Sequence, residues 1–427
     1  MKYLLTIFFS IILYNSYSQH TLFLGATAHI GDGSKIETSV ISIKNGKLGM
    51  VADARVVRIN PSDYDTIIHV YDHHVYPGFI STNTTLGITE IGAVRATRDY
   101  REVGKFKPHV RSLIAFNAES KILPTIRSNG VLTAQVAPKG GRITGTSSFM
   151  KLGGWNWEDA AIRADDGIHL NWPSYFVKKG WWAEPGGIEK TDYYKKDLEE
   201  LNNYFEKAMA YYKSDDARID LEMDAMKGLW DGSKNLYIHA NLAREITDAI
   251  LFAKKYSIEN IAIIGGKEAH IVTEMLTKHS IPIILDRIHR LPNTLDEDVD
   301  LPYKQAKILF EAGVKISFCY QGDMEAMGQR NLPFSAGTAV AYGLPYEEAV
   351  AALSLNTAKI LGVDKHMGSL ELGKDATFFI SDNEPLTQSN HPIKAYIQGR
   401  EIDLSDRQKN LWKKYKEKYR RLGKLSE

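Results

Sequence analysis

Strand-like apolar runs alternate with helical patterns through the second half of the chain. The runs are 235–240, 260–266, 281–286 and 314–320. Between them, segments such as 243–256 repeat apolar residues at helical spacing. Strands that are apolar on both faces and alternate with helices indicate a parallel sheet. Four successive units of this kind favour a (β/α)8 TIM barrel in the α/β class, with a doubly wound sheet as the alternative.

Short β-rich runs broken by turn residues occupy the N-terminal region, and two more strand-turn-strand patterns lie near the C-terminus. They are typical of hairpins in a small sheet. Because both chain ends carry them, we predict one composite β-sandwich domain formed by residues 19–76 and 366–404. The barrel, residues 77–365, is inserted between the two parts. Residues 138–187 are rich in Gly and Trp and are expected to form long loops that cover the barrel mouth.

Residues 1–18 have the pattern of a signal peptide. Lys2 precedes an apolar run, and Ser16 and Ser18 supply the small residues that a signal peptidase requires before Gln19. An N-terminal membrane anchor is the alternative, but the apolar run is short for a membrane span. No later stretch is long and apolar enough to cross a membrane. We therefore expect an exported protein, periplasmic or secreted, without stable membrane insertion after the signal is removed.

The amino-acid composition limits which partners and which kinds of site we expect for this protein. The 427 residues are 44% hydrophobic, enough for a large core, and the formal net charge of +1 gives no indication of nucleic-acid binding. The single cysteine, Cys319, excludes an intramolecular disulfide and a cysteine-cluster metal site. Residues 405–427 predict a basic C-terminal helix. We expect it to dock on the rest of the protein with its lysines solvated; a nucleic-acid or lipid surface is the alternative.

Four stretches carry a resemblance to a known family. YPGFI (76–80) leads into the first barrel strand, IHA (238–240) ends a later strand, and GVKISFCYQGD (313–323) ends the last one. Residues 343–382 then combine an Asn-Thr-Ala helix, a Gly-Ser-Leu-Glu turn and a Gly-Lys-Asp-Ala turn in fixed order. Together they resemble the amidohydrolase superfamily, in its imidazolonepropionase-like branch. The resemblance covers nearly the whole mature chain.

This resemblance implies a metal-bearing TIM barrel flanked by a β-sandwich. Its chemistry is the hydrolysis of amide-like C–N bonds, often in rings, by a metal-activated water. The family's usual ligands are a His-x-His pair after the first strand, a His after the fifth, a His after the sixth and an Asp after the last. Some members add a bridging Lys or Glu after the fourth. Imidazole and carboxylate suit zinc, which lowers the pKa of a bound water to about 7.

Two of the usual ligands are present in this sequence. His239 matches the fifth-strand histidine, and Asp323 matches the last-strand aspartate. Asn83 and Thr85 stand where the His-x-His pair would be, and Gly265 stands where the sixth-strand histidine would be. The resemblance therefore implies a barrel whose His-x-His metal motif is missing.

We accordingly predict His239 and Asp323 as catalytic residues and as a weak or vacant pair of metal ligands, since a catalytic zinc ordinarily takes three protein ligands. No tightly bound cofactor is expected, although a weakly held divalent metal such as Zn²⁺ is compatible with the pair. His109 and His169 are predicted in loops that could fold over the mouth. Residues predicted to contact substrate, including arginines suited to a carboxylate, are Asn83, Thr85, Arg95, Arg98 and Arg101.

Two functions follow from this pattern. The first is an exported hydrolase of C–N bonds in cyclic amides, other non-peptide amides or peptide-like small substrates, with a degenerate metal site. The alternative is a non-catalytic pseudoenzyme that binds a small-molecule ligand, or a partner subunit of an intact amidohydrolase. A homo-oligomer is compatible with both, and nucleic acid is not an expected partner. The fold alone does not decide between them, because function depends on the site.

Overall fold

The computed structural model describes residues 20–425, apart from 182, 215–217, 295, 323 and 390. The predicted signal peptide lies outside the described residues. In the described part of the chain, no helix combines the length and apolar character that a membrane span requires. This finding is consistent with the expectation that the protein does not insert stably into a membrane.

Strands occur in three groups along the chain. Those before the barrel are β1 (Thr21–Leu24), β2 (Thr27–His29), β3 (Lys35–Ile36), β4 (Ser39–Lys44), β5 (Lys47–Asp53), β6 (Thr66–His69) and β7 (His74–Pro77). The central strands are β8 (Phe79–Thr84), β9 (Val131–Val136), β10 (Ile143–Lys151), β11 (Ala161–Asn171), β12 (Phe176–Gly180), β13 (Pro185–Lys190), β14 (Asn235–Ala240), β15 (Ile261–Gly265), β16 (Ile283–Leu285) and β17 (Ile316–Phe318). The last group is β18 (Phe378–Ser381), β19 (Pro392–Ile397) and β20 (Arg400–Ile402).

Helices fill the connections between these strands. In chain order they are α1 (Ser112–Ala115), α2 (Leu123–Arg127), α3 (Trp157–Ala160), α4 (Tyr194–Lys213), α5 (Leu221–Met226), α6 (Gly228–Asp231), α7 (Ala243–Lys255), α8 (Thr273–Lys278), α9 (Leu301–Glu311), α10 (Glu325–Gly328), α11 (Leu332–Ala341), α12 (Tyr346–Leu353), α13 (Leu355–Leu361) and α14 (Arg407–Arg421). Short 3₁₀ turns lie at Pro61–Asp63, Arg95–Thr97, Ala269–Val272 and Gln329–Asn331.

Eight strands form the barrel, in the order β17-β16-β15-β14-β11-β10-β9-β8. A parallel bridge between Thr82 and Cys319 joins the two edge strands, β8 and β17. The predicted TIM-barrel class is therefore confirmed. One strand departs from the all-parallel pattern, since β10 runs antiparallel to both β9 and β11. Residues 137–142 connect β9 to β10, and so short a connection cannot carry the chain back for a parallel strand.

The segment 138–187 differs from its prediction as long loops. It contains β10 and β11, the two longest barrel strands, and the hairpin β12–β13. Its many Gly and Trp residues concealed the alternation of a strand pattern. The mouth is covered instead by the loop before β9, whose backbone around Tyr100 and Lys105 pairs with Lys139 and Arg142.

Two sheets beside the barrel contain the remaining strands. One has the order β5-β4-β1-β6, and the other β20-β19-β18-β7-β2-β3. Strand β7, from the N-terminal part, pairs antiparallel with β18, from the C-terminal part. Their shared core includes Phe23, whose ring meets those of Phe378 and Tyr396 edge-on at centroid distances of 5.4 and 5.2 Å. One sheet therefore depends on both ends of the chain.

The barrel interior is apolar at the end opposite the mouth. Ile80, Phe149 and Ile284 form one buried cluster there with Ala358 and Leu361 of α13. This helix thus packs beneath the strands and closes the lower end. Because the lower end is filled by apolar side chains, the polar groups inside the barrel lie nearer the C-terminal ends of the strands, where active sites of TIM barrels occur.

The C-terminal helix differs from the prediction that it docks along the protein. Its first turn is attached, because Asp406 caps it and Gln408 accepts a hydrogen bond from Thr125 Oγ1 of α2. From Asn410 onward every described residue of the helix is exposed. The helix contains so many lysines that only its first turn packs against the barrel.

We expect Phe378→Ala to lower the free energy of unfolding by about 3–5 kcal/mol, because it opens a cavity in the core shared by the two chain ends. Phe176→Ala is the matched control, since Phe176 is 48% exposed whereas Phe378 is fully buried. Urea denaturation followed by circular dichroism measures both. Equal effects of the two substitutions would contradict a core common to β1 and β18.

Candidate functional site

A buried carboxylate forms the floor of the polar region inside the barrel. Asp166 is completely buried in β11. Its oxygens accept hydrogen bonds from Ser147 Oγ at 2.7 Å, Gln135 Nε2 at 2.7 Å and the Tyr237 hydroxyl at 2.8 Å. Burial raises the pKa of Asp166, and the three donors act in the opposite direction. The donors come from β9, β10 and β14, so this network links four neighbouring strands.

Two histidines lie above this floor. His169 of β11 and His239 of β14 approach each other, with 3.1 Å between His169 Nδ1 and His239 Nε2. The His169 ring stacks on Tyr237 at a centroid distance of 4.8 Å. His239 is the predicted fifth-strand histidine, and the structure places it at the mouth. His169 was expected in a loop but occupies the fourth barrel strand, where the resemblance allowed a bridging Lys or Glu.

Both imidazoles are held in the neutral form. Burial, followed by the positive charge of Lys139, lowers the pKa of His239 from 6.5 to about 3. Burial also lowers the pKa of His169 well below its ordinary value, with smaller effects from His239 and Lys139. In a neutral pair one ring nitrogen donates to the other. The two rings therefore form a hydrogen-bonded pair, in which the tautomer of one ring fixes the tautomer of the other.

Lys139 is the cation of the site. It follows β9, and its Nζ donates to both the backbone oxygen and Oδ1 of Asn83 at 2.8 Å. Asn83 has a left-handed backbone with φ of 50°, and its N–H donates to Gln135 Oε1 at 3.1 Å. Asn83 holds the first of the two positions at which the resemblance predicts a His-x-His pair. At this position the ammonium group of Lys139 is hydrogen-bonded to Asn83.

Thr85, at the second of these predicted positions, also makes polar contacts. Thr85 donates from its backbone N–H to Glu325 Oε1 at 2.8 Å and from its hydroxyl to Oε2 at 3.3 Å. Ser81, which precedes both positions on β8, donates to Gln329 Oε1 at 2.7 Å. The first strand is therefore connected to the segment after the last strand through neutral side chains and one carboxylate.

The sixth-strand position has no room for a histidine. Gly265 has a φ of 103°, which strains any residue with a side chain. A Cβ built there would lie 2.6 Å from Asn241 Oδ1 and 3.2 Å from the backbone oxygen of Ala240. Asn241, at the end of β14, fills the space that the ligand would need.

Several buried polar atoms near the strand ends have no hydrogen-bond partner among the described residues. They are Asn83 Nδ2, His169 Nε2, Asn241 Oδ1 and Gln321 Nε2. Buried polar groups ordinarily find partners in protein, water or ligand. This set contains two amide donors, one amide acceptor and one imidazole nitrogen. A small polar molecule could form hydrogen bonds with groups of these kinds.

The remaining predicted residues lie at different distances from this cluster. Arg101 contacts Gly140, since a Cβ there would meet its Nε at 2.9 Å, so it lies beside Lys139. Arg95 begins an exposed 3₁₀ turn, and Arg98 pairs through its backbone with Thr89. His109 is exposed. Asp323 lies outside the described residues, so its predicted proximity to His239 stays a prediction.

The described residues supply two imidazoles at the mouth, and Asp323, the other predicted ligand, lies outside the described residues. Zinc in a catalytic site takes three protein ligands. Over the described residues, no three His, Cys, Asp or Glu side chains are grouped so as to hold a metal ion. Lys139 adds a positive charge beside the two histidines, which opposes a dication electrostatically.

Sequence reasoning missed Lys139, Glu325 and Asp286. Glu325 and Asp286 both act with burial to raise the pKa of Cys319 at the end of β17, while Lys139 lowers it. Asp286 Oδ1 also accepts from the backbone of Gln321 at 3.2 Å. A signal was present for Lys139, which directly follows a strand in the run Ala-Pro-Lys-Gly-Gly.

One cavity lies elsewhere and does not include this site. Its volume is about 850 Å³, between α4 and α7, and Trp172, Tyr175 and Arg244 are among its lining residues. None of the mouth residues described above line it. Its size alone does not make it the reaction site, because it lies outside the barrel wall while the pKa-shifted histidines are at the mouth.

Comparison with known proteins agrees with the barrel geometry. A model described as "Amidohydrolase family" matches residues 257–403. This match covers about a third of the chain. The structure of an amidohydrolase from Thermotoga maritima MSB8 superposes with a TM-score of 0.77, at 22% identity, over 90% of this chain and 99% of that one. At such identity the likeness establishes the amidohydrolase fold.

Two other relatives give weaker matches. A Xaa-Pro dipeptidase structure with bound methionine in its active site has a TM-score of 0.55 and 15% identity, over 90% of this chain and all of that one. Amidohydrolase tasK from Hapsidospora irregularis is 22% identical over 186 residues, which span 42% of this chain but only 18% of that protein. The amidohydrolase likeness is thus recovered both by sequence and by structure.

The neutral histidine pair predicts a dependence of stability on pH. Below pH 6.5 His239 gains a proton in the unfolded chain, whereas in the folded protein it stays neutral until about pH 3. The unfolding free energy must then fall as the pH falls through this window. His239 accounts for at most about 2 kcal/mol of that loss between pH 7 and pH 5.

His239→Gln should reduce this pH dependence, because glutamine does not titrate. His109→Gln is the control, since His109 is exposed. Unfolding free energies from urea titrations at pH 7 and pH 5 measure the difference. An unchanged slope in His239→Gln would show that this imidazole is already protonated at pH 5 in the folded protein.

Proposed function

We propose that the protein is an exported amidohydrolase-family hydrolase that acts on C–N bonds of cyclic amides, other non-peptide amides or peptide-like small molecules at the mouth of the barrel. We further propose that its metal site is degenerate. The observation that carries both proposals is the contact of Lys139 with Asn83 beside the His169–His239 pair. A fixed cation and a neutral imidazole pair take the place of a complete set of metal ligands.

The positions of these groups suit the reaction of an amide. The Lys139 ammonium group and the Asn83 amide, whose Nδ2 has no partner among the described residues, can donate to a substrate carbonyl oxygen. Such donors stabilise the oxyanion that forms when water attacks the carbonyl carbon. His169 Nε2 accepts the proton of that water. The C–N bond then breaks, and the same proton passes to the leaving nitrogen.

The polar atoms around the mouth indicate the size and kind of substrate. Asn241 Oδ1 and Gln321 Nε2 supply one acceptor and one donor, as an amide group requires. Arg101, next to Gly140, can pair with a carboxylate at the rim. The dipeptidase name of one structural neighbour supports peptide-like substrates. We therefore favour N-acyl amino acids, dipeptides and cyclic amides that carry a carboxylate.

A second function is favoured by the low pKa of the histidines. A general base is most effective when its pKa lies near the working pH, whereas the pKa of His239 is about 3. Such a base gives slow turnover, and a barrel with this site can bind a ligand without hydrolysing it. The alternative is therefore a pseudoenzyme, either alone, as a homo-oligomer or as a partner subunit of an intact amidohydrolase.

Lys139→Met tests the site in both cases. Loss of the ammonium group should weaken binding of carboxylate-bearing amides at least tenfold, because a charge-assisted hydrogen bond contributes about 1.5–3 kcal/mol. Lys105→Met is the matched control, since Lys105 lies in the loop over the mouth and is paired with Asp197. Calorimetry with a panel of N-acyl amino acids, dipeptides and cyclic amides measures binding.

Product release, followed by mass spectrometry on the same panel, separates the two functions. Hydrolysis that Lys139→Met abolishes and Lys105→Met preserves would support the enzyme. Binding with the same dependence but without product would support the pseudoenzyme. Equal behaviour of the two variants would contradict a role for Lys139.

Metal analysis tests the degenerate site. We expect far less than one zinc ion per chain after dialysis. The change Ser81→Asp, Asn83→His, Thr85→His should raise zinc retention by adding imidazole donors next to His239, and adding Lys139→Gln should raise it further by removing the competing cation. Metal content measured by mass spectrometry gives the answer. Stoichiometric zinc in the unaltered protein would contradict the proposed degeneracy.

A further inference from the structure

The C-terminal helix α14 projects from the protein without packing along it. Its hydrogen bonds to the barrel lie at its start, where Ser128 Oγ donates to Asp406 Oδ2 at 3.0 Å and Thr125 Oγ1 donates to Gln408 Oε1 at 3.0 Å. Beyond Lys409 all of its residues are exposed, including Trp412, with 61% of its surface accessible. An isolated helix of this length is marginally stable in water. The exposed part is therefore suited to a partner surface.

One side of α14 is apolar and aromatic. At about 100° per residue, five side chains fall within an arc of about 100° along the helix. These residues are Leu411, Trp412, Tyr415, Tyr419 and Leu422. We call them the aromatic face. Their exposed fractions range from 41% to 61%. Large aromatic side chains with a polar edge are those that bind at the boundary between water and lipid.

Cations border the aromatic face on both sides. One row consists of Lys409, Lys413, Lys416 and Arg420, and the other of Arg407, Lys414, Lys418 and Arg421. Lys416 Nζ lies 4.8 Å from the Trp412 ring centroid, and Lys418 Nζ lies 5.8 Å from that of Tyr415. The ammonium groups therefore lie close to the aromatic rings. A lipid phosphate at the same depth as the rings would meet them.

The charge of the protein is strongly divided between this helix and the rest. Residues 407–421 contain eight Lys and Arg and a single acidic residue, Glu417, for a net charge of +7. The whole chain carries +1, so the remaining residues carry −6. An anionic surface would thus attract the helix and repel the rest of the molecule. The protein would bind with α14 toward the surface and the barrel away from it.

We propose that α14 binds the surface of a membrane that contains anionic phospholipids, lying in the plane of the interface with its aromatic face inserted. A helix with a strongly polar face rich in Lys and Arg, and an opposite face of Trp and Leu, is suited to this position. We favour this partner because the negative charge of lipid phosphates complements the positive charge of α14. The barrel is thereby held next to the membrane while its mouth stays in water.

Two other occupants fit the helix less well. A coiled coil with a second copy would continue the seam through Leu411 and Tyr415 to Lys418, which places a charge at a core position. Nucleic acid would contact the cations and could stack on the rings. It offers no apolar region for Leu411 and Leu422, which flank the rings at the two ends of the same face.

Vesicle binding tests the proposal. The protein without its predicted signal peptide is sedimented with sucrose-loaded vesicles of phosphatidylcholine alone or of equal parts phosphatidylglycerol and phosphatidylcholine. We expect binding only to the anionic vesicles, weaker at high salt. Replacing a bordering lysine with glutamine should lower the partition coefficient about fivefold per charge. The combined change Trp412→Ala, Tyr415→Ala, Tyr419→Ala should lower it at least about tenfold.

Matched variants on the opposite side of the helix complete the test. Asn410→Ala and Glu417→Gln should preserve or strengthen binding, because neither belongs to the aromatic face or to the cation rows. Thermal unfolding of all variants should stay unchanged, since α14 contributes no buried residue. Absence of binding to anionic vesicles would overturn the proposal. So would vesicle binding that is indifferent to the aromatic face, preferential binding to RNA, or self-association through α14.

Discussion

The carboxylate of Asp166 is the constraint on which the upper half of the barrel depends. It is completely buried and accepts three hydrogen bonds from three neighbouring strands. Removing any donor would leave a buried polar group unsatisfied, at a cost of about 1–3 kcal/mol. Gln135 links this network to Asn83, because its Oε1 accepts a hydrogen bond from the Asn83 backbone N–H. The network therefore fixes both the strand arrangement and the residue that Lys139 contacts.

Three positions at which the resemblance predicts metal ligands have other contacts in this structure. The ammonium group of Lys139 bonds to Asn83, Thr85 is held by Glu325, and Asn241 fills the space beside Gly265. The side chains at these positions are therefore held by neighbouring groups of the chain. Lys139 supplies the positive charge in this part of the mouth.

The fold could be predicted because the sequence patterns that indicate it lie within short segments of the chain. Apolar runs such as 260–266 and 281–286 are buried on both faces, and their pattern survives without tertiary context. The positions of Asn83 and His239 followed from motifs within single strands. Lys139 could not be found in this way, because its role arises from contact with Asn83, a residue distant in sequence. His169 was placed in a loop because Gly and Trp residues obscure the strands around it.

The antiparallel strand β10 changes how this barrel can assemble. Strands β9, β10 and β11 pair in sequence through short connections, whereas each later strand is reached through a helical crossover. The entropy lost on closing a loop grows with its length. Pairing within residues 131–171 is therefore less costly than pairing of the parallel strands. Three of the four side chains of the Asp166 network lie in this contiguous segment, so most of the polar floor can form before the barrel is closed.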